Sequence, residues 1–237
     1  MLKIAVSGAG GKMGRRIIDL AANDTDFKLT IALEQKGHTA IGKEIYGVRI
    51  MDNPDNIKNA GCLIEFTNPE ASVEHLSVAL GHKKPMVIGT TGLTPEEILK
   101  IKEASKLIPI VLSPNMSIGV NILFNLVRLT AQSLARDYSI NIVEAHHVHK
   151  KDAPSGTAKR IAGIIKTEGG KVKDIQSIRE GEIIGDHRIS FESPFDKIEL
   201  FHSAKTRDIF AQGALKAAKW VVDKQPGLYN MQDVLKK

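Results

Sequence analysis

Cysteine, aromatic residues and long apolar runs are what this 237-residue chain has least of. With one thiol, Cys62, no intramolecular disulfide can form, and the sequence predicts a reducing, cytoplasmic setting. Aromatics make up 5% of residues, and lysine and arginine are spread along the chain. The interleaved basic and aromatic clusters that bind nucleic acid are therefore missing, although a formal charge of +6 favours anionic partners of some kind. No apolar run approaches the roughly 18 residues of a membrane span, so no membrane partner is expected. "MLKIAVSG" runs straight into a strand pattern, without the apolar segment and small-residue site of a secretory leader. What is present, 42% hydrophobic and 25% charged residues, is the composition of an ordinary globular protein.

Short apolar runs at residues 3–8, 28–34, 62–67, 84–92 and 108–115 each end in a turn signal. Helical spacing separates several of them, at 12–23, 69–82 and 94–107. The last helix opens with Thr94, Pro95 and Glu97, a capping-box start. Strand and helix in this alternation predict an α/β, Rossmann-type, doubly wound parallel sheet. The texture then changes. Residues 117–136 read as a long apolar helix, 138–147 as a strand, 155–167 as a helix, and 175–204 as two or three antiparallel strands. These features predict a second, α+β domain. A helix over 208–224 and the tail "GLYNMQDVLKK" lead back to the first region. The expected division is 1–116 plus 213–237 for one domain and 117–212 for the other.

The first chemical motif is "AVSGAGGKMGRRI", at the junction of first strand and first helix. Glycine permits a tight turn and a close backbone approach to a pyrophosphate, whose charge meets amide N–H groups at the helix start. The spacing is a variant: position 13 is Met, and the glycines stand at Gly8, Gly10, Gly11 and Gly14. Glu34 closes the second strand, where a carboxylate receives adenosine ribose hydroxyls. "GTTG" and "SPNMS" end two further strands on the side where open α/β sheets bind ligands.

The second motif is "EAHHVHKKDAPSGTA". His146, His147 and His149 invite a metal reading, but one cysteine and no second ligand pair at a recognised spacing argue against it, so no metal is expected. In an extended strand His147 and His149 share a face and His146 points away. A solvated basic turn is the bland alternative. The third reading uses the helix that follows: Ser155 as N-cap, with Gly156 and Thr157, aims a helix N-terminus at a cluster of cations. Such a pocket holds carboxylates, and histidine and lysine beside it can move protons.

"GAGGKMG", "EFTNPEAS", "GTTG", "SPNMSIGVN", "EAHHVHKKDAPSGTA", "IREGEIIGDH" and "SAKTRDIFAQGALKAAKW" follow one another as in the dihydrodipicolinate reductase family. The resemblance runs from the first strand to "GLYNMQDVL", nearly the whole chain. It implies a homotetramer of two-domain subunits, with a nucleotide domain completed by the C-terminal tail and a central domain for substrate and assembly. It assigns His146 as catalytic acid/base and Lys150 as proton donor. It gives His147, Lys150, Ser155, Gly156 and Thr157 to a small-molecule dicarboxylate substrate. It gives Gly8, Ala9, Gly10, Gly11, Lys12, Met13, Glu34, Gly89, Thr90, Thr91, Ser113, Pro114, Asn115 and Met116 to the nucleotide.

The implied reaction delivers hydride from NADH or NADPH to a conjugated cyclic imine, with a proton quenching the neighbouring carbon. Glu34 favours the ribose hydroxyls of NADH, and family members that use NADPH well commonly carry an arginine where this chain has Gln35. With Lys36 and Lys12 giving partial compensation, both nucleotides are expected to work, NADH modestly better. Two competitors remain. One is another Rossmann reductase, an aspartate-semialdehyde or amino-acid dehydrogenase; the semialdehyde reaction needs a nucleophilic thiol, and Cys62 sits in an apolar run. The other is a nucleotide-sensing regulator without turnover, which the intact His146 and Lys150 oppose.

Overall fold

The computed structural model describes residues 1–236 and divides them into two compact units, 1–118 with 208–236 and 119–207. In the first unit eight strands form one sheet: β1 (Leu2–Ser7), β2 (Phe27–Leu33), β3 (Glu44–Ile45), β4 (Val48–Met51), β5 (Cys62–Glu65), β6 (Met86–Ile88), β7 (Pro109–Leu112) and β12 (Gly227–Tyr229). Their spatial order is β12-β7-β6-β5-β1-β2-β4-β3, parallel except for the β3–β4 hairpin. The order turns outward from β1 in both directions, as in a doubly wound sheet.

Alternation along the strands assigns the helices to opposite faces. Ile4 and Val6 of β1 join one core with α1 (Lys12–Ala22) and α6 (Asp208–Val221). Ala5, between them, joins the other with α2 (Pro69–Gly81) and α3 (Pro95–Ala104). Thr94 caps α3 in a full capping box with Glu97, a start worth about 1 kcal/mol. Helix α6 packs through small residues, and a Cβ on Gly213 would stand 1.7 Å from the Met116 carbonyl oxygen, so nothing larger than glycine fits. The tail adds β12 beside β7.

Two features of this unit escape sequence reading. The β3–β4 hairpin turns on Tyr46 and Gly47, at φ 49° and 73°; two positive values mark the type I′ turn, but tyrosine is not its usual residue. A short 3-10 helix, Pro54–Asn59, follows, capped by the Asn53 side chain.

The second unit holds α4 (Ile118–Leu134), α5 (Gly156–Thr167) and a sheet of β8 (Ser139–His146), β9 (Val172–Arg179), β10 (Asp186–Glu192) and β11 (Lys197–Ser203) in the order β11-β10-β8-β9. One sheet face packs on α4 and α5 through Phe124, Val127, Ile161, Ile142, Ile189 and Phe191. The strands expected over 175–204 alternate in direction, β10 pairing antiparallel with β8 and β11, while β9 pairs parallel with β8. Helix α5 connects the two strands and returns the chain in the same direction, the geometry of a crossover. Among the described residues no helix is long and apolar enough to cross a membrane.

Candidate functional site

In the first unit the loop between β1 and α1 is fastened by backbone. Gly8 and Ala9 N–H both donate to the Leu33 carbonyl, at 3.0 and 2.9 Å, and Gly11 N–H to the Gly8 carbonyl at 2.9 Å. Gly8 takes φ +79°, open to glycine. A Cβ on Gly14 would lie 2.0 Å from the Gly8 oxygen, which explains the shifted spacing: the closest helix approach falls at 14. Position 13 can therefore carry Met13, which packs on the core. No side chain caps α1, so its first-turn amides face outward above this loop, a ready anion site.

Glu34, just past β2, turns back to the loop. One of its oxygens accepts from Gly10 N–H at 2.8 Å and the other from Gln35 N–H at 2.9 Å, with lone pairs left on each. A Cβ on Gly10 would come 3.0 Å from that carboxylate and 2.6 Å from His38. Gly8, Gly11, Glu34, Gln35 and Lys36 line a cavity of about 520 Å³ that Phe66, Thr67, Asn68 and His75 close from the α2 side. The cradle fits a dinucleotide: a side-chain-free loop, an uncapped helix start and a carboxylate at the ribose position. Gly89, Thr90 and Thr91 follow β6; a Cβ on Gly89 would stand 2.2 Å from the Phe66 ring, and buried Thr90 bonds Ser72 at 2.7 Å. Ser113, Pro114, Asn115 and Met116 follow β7 in a turn closed by Ser113 Oγ–H donating to the Asn115 carbonyl at 2.8 Å. These two loops sit at strand ends and are not part of the cavity lining. Lys12 and Lys36 are exposed.

Behind the cavity lies a buried polar chain. Glu65 Oε2 meets His75 Nδ1 at 2.7 Å, Ser7 Oγ lies 3.1 Å from the same nitrogen, and Thr67 donates to Glu65 Oε1. Burial opposes charge on His75, but the Glu65 carboxylate outweighs it and raises its pKa above 6.5.

In the second unit β8 ends at His146, so His147 and His149 sit in the following turn. The shared strand face expected for them does not exist, and their rings lie tilted, 6.1 Å apart. His146 belongs to the strand's inner face, with Ile140, Ile142 and Glu144 before it. Register then builds a square: Arg179 of β9 stands opposite His146, and His187 of β10 opposite Glu144. Glu144, fully buried, accepts from Arg179 through both oxygens, at 2.8 and 3.1 Å. It also accepts from Ser155 N–H at 3.2 Å and from His146 Nδ1. Ser155 Oγ caps α5 by accepting from Ala158 N–H at 3.2 Å and lies 3.2 Å from His187 Nε2. Gly156 and Thr157 open that helix. Lys150 Nζ donates to Asp152 at 2.7 Å, and His147 Nδ1 is buried without a hydrogen-bond partner among the described residues.

The charges follow from this geometry. Burial works against ionising Glu144, but hydrogen bonds from Arg179, Ser177 and His146 prevail and hold its carboxyl down to about 2. His146 is lowered: burial pushes it down, Lys150 and Arg179 push further, and Glu144 only partly opposes them. Burial pushes His187 to about 3, so its ring is neutral. Among the described residues no group of three or more histidine, cysteine, aspartate or glutamate side chains is arranged to hold a metal. Cys62 is fully buried and its thiol pKa is pushed up, the opposite of what a nucleophile needs.

Sequence reading brought His146, Lys150 and Ser155 together and missed Glu144, Arg179, Gly185 and His187. Glu144 carried a signal, since two residues before His146 in a strand means the same face. The other three are joined to it only by strand register.

The dihydrodipicolinate reductase N-terminus model matches residues 2–116 and the C-terminus model residues 119–235. The chain is 42% identical to the 4-hydroxy-tetrahydrodipicolinate reductase of Syntrophus aciditrophicus over 264 positions, covering 99% of this chain and 98% of that one. It is 42% identical to the reductase of the same name from Geobacter sulfurreducens, covering 99% of each. Among solved structures, a dipicolinate-bound dihydrodipicolinate reductase from Paenisporosarcina sp. TG-14 superposes with TM-score 0.87 at 23% identity, over 99% of this chain and 100% of that one.

Proposed function

The chain belongs to the dihydrodipicolinate reductase family, and from that premise we propose how its residues divide the work. It is an oxidoreductase that reduces 4-hydroxy-tetrahydrodipicolinate to tetrahydrodipicolinate with NAD(P)H, on the diaminopimelate route to lysine. The nucleotide domain is 1–116 with 213–237, and 117–212 binds substrate and assembles the oligomer. Gly8, Ala9, Gly10, Gly11, Lys12 and Met13 cradle the pyrophosphate and Glu34 accepts the ribose hydroxyls. Gly89, Thr90, Thr91, Ser113, Pro114, Asn115 and Met116 line the path toward the nicotinamide.

The observation that carries the reading is the convergence on Ser155, at the start of α5, of His187 and of the Glu144 carboxylate that also holds His146. A helix start with Gly156 and Thr157 favours a substrate carboxylate, and the unpartnered His147 Nδ1 supplies a further contact. Bound NAD(P)H supplies hydride from its nicotinamide. The product lacks the 4-hydroxyl of the substrate, so one water leaves, and a proton must reach the carbon beside the one reduced. Lys150 donates that proton, held in place by Asp152, and His146 relays or tunes it. Without a cation at Gln35 to neutralise a 2′-phosphate, NADH is preferred modestly over NADPH. The enzyme is a cytoplasmic homotetramer; Phe201, half-exposed on the sheet face away from α4 and α5, supports assembly through that face.

The test is oxidation of NADH and NADPH with enzymatically generated substrate. Lys150→Met is expected to lower turnover more than tenfold, at least about 1.4 kcal/mol of transition-state stabilisation. Turnover near wild type at saturating substrate would remove Lys150 as the donor, and a strong NADPH preference would overturn the reading of Glu34 and Gln35.

A further inference from the structure

Glu144 lies beneath the acid/base histidine rather than in the HHxHK stretch itself, and every group that reaches it donates. Arg179 gives one N–H to each oxygen, Ser155 gives its backbone N–H to Oε1, and the Ser177 hydroxyl donates as well. A carboxylate in that setting only accepts. The His146 nitrogen that meets it, Nδ1, must therefore carry a proton, and in the neutral ring the lone pair falls on Nε2. On the Nε2 side stands Gly185, just ahead of β10. A Cβ there would come 3.1 Å from His146 Nε2 and 3.7 Å from His187, and Gly185 needs no unusual backbone angle. The missing side chain leaves that nitrogen open.

We propose that Glu144 is the positioning residue for His146: pinned by Arg179 and the Ser155 amide, it fixes the Nδ1–H tautomer and presents Nε2 to the gap at Gly185. The inference rests on the reading of His146 as acid/base. It also gives a role to a fully buried glutamate that shares its strand face with Ile140, Ile142 and His146. The groups around the ring are Glu144 on its own strand, Arg179 on β9, His187 on β10, and Lys150 and Asp152 in the following loop. Among the described residues only Glu144 hydrogen-bonds Nδ1.

Glu144→Gln discriminates because of the donors. With its NH2 group in the Oε1 position, an amide would face Arg179 Nη2 and the Ser155 N–H, two donors; turned the other way, it faces one donor, Arg179 Nη1, and His146 Nδ1, which can accept if the ring changes tautomer. The variant is therefore expected to move the His146 proton to Nε2, visible as an exchange of pyrrole-type and pyridine-type ring 15N resonances. Turnover should fall at least about tenfold, with the Michaelis constant for the dicarboxylate within about threefold; an orienting carboxylate is worth up to about 10⁴ in turnover. Gly185→Ala should lower turnover with the tautomer unchanged. A folded Glu144→Gln with wild-type turnover or an unmoved tautomer overturns the proposal. If that variant does not fold, the wild-type spectrum decides: a neutral His146 with its proton on Nε2 overturns it equally. His146→Asn separates the two levels. Full activity in that variant sinks the acid/base reading, whereas an inactive His146→Asn beside a fully active Glu144→Gln sinks only the positioning role.

Discussion

Among the described residues each unit buries one glutamate–histidine pair, and the two histidines move in opposite directions. In the first, fully buried Glu65 closes β5 and meets His75 of α2, whose pKa rises. In the second, fully buried Glu144 meets His146 on the same strand, whose pKa falls. Burial lowers both rings. What differs is the company of the carboxylate. Among the described residues Glu65 has one ion-pair partner, His75, so its field falls on that ring. Glu144 is already paired with Arg179, and Lys150 adds a second cation near His146. The same two side chains thus favour the protonated ring in one unit and oppose it in the other.

The largest test of this contrast is acid. A buried neutral histidine cannot follow its unfolded counterpart when that one protonates below about 6.5. His187 stays neutral down to about 3, so between those values the unfolded state binds more protons and stability falls as pH falls. Across the whole window this is on the order of 5 kcal/mol, at about 1.4 kcal/mol per pH unit. Glu144, ionised in the fold down to about 2, adds a loss of about 3 kcal/mol as pH falls from 4.5 toward that value. Urea unfolding at a series of pH values should show the slope below 6.5, and His187→Gln should remove about 1.4 kcal/mol per pH unit of it. An unchanged slope in that variant would show that His187 protonates freely in the fold.

A second test converts one pair into the other. Arg179→Met leaves Glu144 with His146 as its ion partner, as Glu65 has only His75. Removing one side of a buried ion pair costs about 3–5 kcal/mol, and the His146 titration midpoint, followed by NMR, should climb from below 6.5 to above it. A midpoint that stays low would mean that burial alone governs His146 and that the cations are incidental.

How much of this was legible depends on whether the information lies along the chain or across it. The glycine loop, the strand-end Glu34 and the capping box of α3 are local, and each is readable because one backbone turn dictates the residue. The β3–β4 hairpin is local too but turns on Tyr46, against residue preference. Glu144 could be read from alternation with His146. Arg179, Gly185 and His187 could not, because they converge only once β9 and β10 take their register beside β8. The parallel course of β9 was hidden for the same reason: its alternation is identical in either direction. Glu65 and His75 lie ten positions apart on a strand and a helix, and their meeting depends on how α2 packs on the sheet.

The smallest effect is the most discriminating, because it has opposite signs in the two units. His75 is raised by Glu65, so the stabilisation it contributes is complete below its unfolded value of about 6.5 and is lost as pH rises through its folded value. His146 and His187 are lowered, so their contribution is complete above that value and is lost on acidification. The groups facing His75 are Glu65 on β5, the Ser7 hydroxyl on β1 and Glu74 on its own helix, and both carboxylates act in the same direction. The effect is small because burial of the ring works against them. Native-state hydrogen exchange separates the units, since amides of β1 and β5 report on one and those of β8 and β10 on the other. After correction for intrinsic exchange, opening of β1 and β5 should become easier between pH 6 and 8, and opening of β8 and β10 should not. Glu65→Gln should flatten the first trend and leave the second alone. If β1 and β5 instead gain protection toward pH 8, or keep their slope in Glu65→Gln, the Glu65–His75 pair is not a charged one and the contrast between the two pairs collapses.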